Sequence, residues 1–112
     1  RWLTAQDVLA MSLPGALVVL SACESGRQQP GQHREETIGL ARSFLAAGAA
    51  AVVVSLWMTA DQVTAELMQH FYRAVTDVTP ATALRRAQTA VADDHPHPAD
   101  WASFIIYGGS RR

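Results

Sequence analysis

The chain carries one cysteine, Cys23, and four histidines, His33, His70, His95 and His97, so any thiol chemistry centres on a single sulfur. A thiol becomes a good nucleophile only when a base or a positive environment removes its proton. Two thiol chemistries fail on spacing. A redox dithiol needs a second cysteine three positions on, where this chain has Gly26. A cysteine-phosphatase loop needs an arginine six positions after the thiol to grip the phosphoryl group; Gln29 stands there, and Arg27 comes too early. A general base must come within about 2.6–3.2 Å of the proton it removes. His33 alone is near Cys23 in sequence, and it reads as a solvated loop residue. His70 falls in a helical stretch, and His95 and His97 flank Pro96 in a distant loop. With Asp93 and Asp94 nearby, "HPH" offers metal-ligating residue types. Their alternation with prolines in a polar loop reads as ordinary surface, so no metal and no cofactor is assigned.

The thiol directly follows Ala16 to Ala22, a continuous apolar run rich in β-branched residues and bounded by turn formers. Such a run reads as a strand buried on both faces, the kind found in α/β sheets. Upstream, Thr4 and Asp7 start a short helix ending near Met11. Glu24 to Arg34, with Gly26, Pro30 and Gly31, reads as a loop. From about Glu35 the pattern turns helical, with Ile38, Ala41 and Leu45 on one face, Leu40, Phe44 and Ala47 beside it, and Gly48 as the stop. Glu35 and Glu36 then open that helix, where negative charge suits the dipole. Ala50 to Trp57 is a second apolar strand. Thr59 to Gln62 has capping-box spacing for a helix carrying Val63, Leu67, Phe71 and Ala74 inward. Thr79 and Pro80 open the next, with Leu84, Ala87, Gln88 and Val91 on its face. Ser103 to Tyr107 is the last strand, anchored by Trp101 and Phe104. One helix joins the first two strands, which makes them parallel. Two helices precede the third strand, so it should return antiparallel. Cys23 therefore opens a loop at the carboxyl ends of parallel strands, the rim where α/β sheets bind ligands.

Composition narrows the classes further. One hundred and twelve residues with 49% hydrophobic content suffice for one small domain with a core. A formal net charge of −1 gives no basic footprint for nucleic acid. The most apolar window, Phe44 to Met58, is shorter than the roughly twenty residues a membrane helix needs, so no membrane partner is expected. A single cysteine builds no internal disulfide, and no signal-peptide pattern opens the chain. A cytoplasmic location is the expectation.

In order and at consistent spacing, "VVLSACESG", "EETIGLARSFLAAGAAAVVVSLWMTAD", "LMQHFY", "ALRRAQTAV" and "HPADWASFIIYGG" together resemble the C-terminal part of CHAT domains. These are caspase-like peptidases of the clan that includes caspases, metacaspases and separases. The resemblance implies a three-layer α/β/α sandwich, represented here by about three strands with the last antiparallel, and a cysteine endopeptidase acting on protein or peptide substrates. It also implies a possible tetratricopeptide-repeat regulatory region in the same parent chain. Under it, Cys23 is the nucleophile, and its backbone N–H is one donor to the oxyanion of the tetrahedral intermediate. In this clan the base is a His before a Gly, at the end of the strand preceding the cysteine strand. No such segment lies between Arg1 and Leu20. Residues 1–112 are therefore expected to be the C-terminal portion of one CHAT peptidase domain, its histidine-bearing part upstream, and inactive alone.

Related peptidases line their substrate pockets with residues ending the neighbouring strand, here Ser55, Leu56 and Trp57; Trp57 also suits core packing. Metacaspases place an Asp two residues before the nucleophile, where this chain has Ser21, so an arginine pocket lacks its usual acid. Glu24 and Asp61 are the alternative pocket acids, and nothing in the sequence ranks them. A strand edge left without its upstream neighbour would be a template for pairing, which predicts self-association. A second reading stays open, a noncatalytic binding or scaffolding module derived from a degenerate peptidase. Retention of Cys23 within its flanking motif favours the enzyme.

Overall fold

The computed structural model describes residues 15–20, 30–57 and 60–110. Three strands form one sheet in the order β1 (Leu17–Leu20), β2 (Ala51–Ser55), β3 (Phe104–Gly108). β1 and β2 run parallel, Leu17 opposite Ala51 and Leu20 opposite Val54. β3 returns antiparallel, pairing Gly108 with Ala51 and Phe104 with Ser55. The antiparallel return follows from helix count, since two helices separate β2 from β3 and each reverses the chain. The expected N-terminal helix, Thr4 to Met11, lies outside the described residues.

Among the described residues three α-helices cover the two faces: α1 (Pro30–Ala46), α2 (Asp61–Ala74) and α3 (Pro80–Asp94). Successive strand residues point to opposite faces, and the core divides accordingly. Val52 and Val54 pack with Ala41 and Phe44 of α1, joined by Val18, Leu20, Ile105 and Tyr107. Val53 and Phe104 pack with Val63, Leu67 and Phe71 of α2 and with Leu84, Ala87 and Val91 of α3, joined by Leu17, Val19 and Ile106. This is the three-layer α/β/α sandwich, with every residue of β2 buried. Each fully buried valine contributes roughly 1.5–3 kcal/mol relative to exposure, which makes β2 the spine of the molecule.

The helix ends show where local signals held. Gly48, at φ 110°, closes α1 as a Schellman motif: Ala49 N–H donates to Phe44 O and Gly48 N–H to Leu45 O. Thr79 caps α3 by accepting from Thr82 N–H at 3.2 Å, with Pro80 next. Four elements differ from expectation in their bounds. α1 begins at Pro30, so His33 and Arg34 are helical and Glu35 and Glu36 lie beyond the first turn. Proline is pre-organised for the first helical position, and Pro30 therefore starts this helix instead of breaking the chain. α2 starts from Ala60 as its cap, without a side-chain cap bond, so the capping-box reading fails by one residue. β2 stops at Ser55, two residues short of Trp57, and β3 is shifted one residue later.

Candidate functional site

Because β1 and β2 are parallel, both deliver their carboxyl ends to the same rim. Leu20, three residues before Cys23, sits opposite Val54, one residue before Ser55. Cys23, Ser21 and Glu24 themselves lie outside the described residues. Ser55, Leu56, Trp57 and Asp61 are described, and they form the β2 side of the rim.

Ser55 is buried, and its hydroxyl donates to Trp57 O at 2.8 Å. That bond closes the bend at which the chain leaves the sheet, so Ser55 shapes the rim from beneath. Leu56 packs on the α1 side, while its N–H donates to Ser103 O at 2.8 Å. Trp57 is 37% exposed, an unusual cost for so large an apolar ring, and its indole Nε1 donates to Ala99 O at 3.0 Å. Asp61 is exposed in the first turn of α2, where its charge complements the helix dipole.

The Trp57 bond spans 42 residues and brings the loop after α3 to the rim, correcting its reading as distant. That loop is more ordered than a surface connection: Pro98–Asp100 forms a single 3-10 turn, and His97 Nδ1 accepts from Ala99 N–H at 3.1 Å. His95 meets Glu66 of α2, Nε2 to Oε2 at 2.9 Å, and ties the loop to that helix. His95 and His97 are thus both engaged in holding the loop, and His70 is exposed on α2. Among the described residues no group of three or more His, Cys, Asp or Glu could hold a metal ion, and no helix is long and apolar enough to cross a membrane.

Charge is unevenly placed about this rim. Among the described side chains, Asp61 and Glu66 of α2, Asp93 and Asp94 at the end of α3, and Asp100 lie toward it. Arg73 lies in the last turn of α2, Arg85 and Arg86 lie near the middle of α3, and Asp77 follows α2.

Sequence reasoning placed Gln88 on the face of α3 but gave it no partner. Its side chain, on the core-facing stripe of α3, donates from Nε2 to Trp101 O at 3.0 Å and to Phe104 O at 2.8 Å. The signal was a polar residue set among Leu84, Ala87 and Val91, since a buried amide must find partners.

The family model for the CHAT domain matches residues 1–109, nearly the whole chain. The chain belongs to the CHAT domain family. That makes it a caspase-like, peptidase-related domain, and the sheet topology agrees. Among curated proteins, human tetratricopeptide repeat protein 28 is 36% identical to the CHAT chain over 109 residues, covering 95% of this chain and 4% of that protein. Its mouse counterpart is 33% identical over 109 residues, with the same coverage. The chain thus spans a small part of the relatives it matches.

Proposed function

We propose that this CHAT chain is the nucleophile-bearing part of a caspase-like cysteine endopeptidase, with Cys23 as nucleophile. The observation that carries the reading is the family match extending across the thiol-bearing segment, on a sheet whose β1 ends three residues before Cys23 at a shared rim. In the proposed reaction the Cys23 thiolate attacks the scissile carbonyl carbon, and the Cys23 N–H donates to the oxyanion that forms. The C–N bond then breaks as the leaving amine takes a proton, and water hydrolyses the thioester. The base in this reading is the upstream histidine that the clan resemblance implies; His95 and His97 are engaged within the loop, and His70 is exposed on α2. The substrate is a protein or peptide segment lying along Leu56 and Trp57, with the buried Ser55 supporting the rim from beneath and Ser21, Glu24 and Asp61 as further contacts.

The names of the relatives support a parent chain in which tetratricopeptide repeats accompany this domain; in our reading those repeats present or regulate its substrates, in the cytoplasm. The second reading is a noncatalytic module kept for protein binding. One comparison separates the two. In the full-length protein, Cys23→Ala should abolish cleavage of a peptide library while leaving circular dichroism unchanged, and the 112-residue chain alone should cleave nothing. Cleavage that survives Cys23→Ala eliminates Cys23 as nucleophile. A wild-type protein that binds partners but cleaves no member of the library establishes the second reading.

A further inference from the structure

Gln88 stands one turn after Leu84 and three residues before Val91, both buried, so it is carried by the best-anchored face of α3. Its two hydrogen bonds end on backbone carbonyls, which only the amide nitrogen can satisfy, so the orientation of the amide is set by chemistry. Both Nε2 hydrogens are used, one on each side of Ser103. Among the described residues, Gln88 is the side chain that bonds the Trp101 and Phe104 carbonyls. Trp101 Nε1 and Ser103 Oγ are buried there without a partner, and Ser103 is fully enclosed.

The turn that Gln88 grips is the same one that supports the rim. Ser103 O, between the two gripped carbonyls, accepts from Leu56 N–H; Ala99 O, two residues before Trp101, accepts from the Trp57 indole. Leu56 and Trp57 therefore hang on carbonyls of a segment that the amide braces at Trp101 O and Phe104 O, beside the backbone bonds from Trp101 N–H and Ala102 N–H to Pro98 O. The other tie, His95 to Glu66, holds the far end of the loop through two side chains that are 26% and 34% exposed, where water competes.

We propose that Gln88 is a positioning residue that sets where Leu56 and Trp57 stand at the rim, and thereby how well the rim receives a peptide segment. It touches no substrate. It acts through the Trp101 and Phe104 carbonyls, and its effect on cleavage rests on the peptidase reading above. Leu56 and Trp57 contribute to holding a peptide and not to proton transfer, so loosening them weakens ground state and transition state alike.

The test replaces Gln88 in the full-length protein with Met, which keeps length and removes both donors, and with Asn, which keeps the amide but is one methylene short. Hydrogen–deuterium exchange resolved by mass spectrometry should show about tenfold faster exchange in the peptide containing Leu56, with α1 peptides unchanged, because only the local opening is eased. Peptide cleavage should show KM raised several-fold and kcat within about twofold, with Asn intermediate. Unchanged exchange at Leu56 in a folded variant overturns the proposal. So does acceleration spread evenly over the chain, which is the mark of general destabilisation. If Gln88→Met does not fold, Gln88→Asn decides by the same two criteria. If the wild-type protein cleaves no peptide, the peptidase reading falls, and the exchange comparison still decides whether Gln88 positions the rim.

Discussion

Gly108 closes β3 at the end of the sheet opposite the rim, at φ +70°, where a side chain is strained. A Cβ built there would lie 2.7 Å from Ala50 O, closer than real Cβ contacts come. The carbonyl cannot easily retreat, because it already accepts Gly109 N–H at 3.0 Å and belongs to the residue whose N–H donates to Ala16 O at 2.8 Å. Gly108→Ala therefore adds a left-handed backbone cost of about 1–2 kcal/mol to an overpacking cost of about 1–3 kcal/mol. The expected loss is about 2–5 kcal/mol, a large fraction of the stability of a small domain. Gly39→Ala is the control. Nothing lies within 4 Å of a Cβ at Gly39, which is exposed inside α1. Alanine there should stabilise by up to about 1 kcal/mol. Urea unfolding followed by far-ultraviolet circular dichroism measures both. A Gly108→Ala midpoint within error of wild type would refute the reasoning, because neither the dihedral nor the contact could then be as described.

Removing the Thr79 cap by Thr79→Ala should cost about 1 kcal/mol and Thr79→Ser should recover most of it, since the serine hydroxyl can still accept from Thr82 N–H; equal urea midpoints for the two variants would show that the cap contributes nothing. Among the described residues β1 and β3 each pair with β2 alone, so the 112-residue chain should self-associate through a strand edge, with mass rising across a concentration series in light scattering. A monomeric mass at every concentration would defeat that expectation. Val18 and Ile105 pack toward α1, so edge variants should avoid those positions, where lysine would disturb the core.

What was readable in advance was what neighbouring residues decide among themselves. The β-branched run Val52-Val53-Val54 can only be a buried strand, and the Thr79-Pro80 pair can only open a helix. Gly48 can take a φ of 110° and end α1, and the count of helices between strands dictates which of them run parallel. Capping, chirality and hydrophobic period act within a few residues or through topology, so they survive without the fold. Pro30 shows the edge of that reach: the same residue breaks a chain or begins a helix, depending on what lies after it. Other features come into being only when α3 and β3 close on β2. The bond from Trp57 to Ala99 crosses 42 residues, Gln88 finds its carbonyls 13 and 16 residues on, and His95 meets Glu66 across 29. No local propensity encodes these pairings. Polar groups that packing draws together pair with whatever it brings within about 3 Å. Thus the sequence alone determined the layers, the strand directions and the rim at which the thiol segment begins. Tertiary structure decided which loop stands against that rim and which side chains hold it there, because those contacts exist only between surfaces that folding brings together.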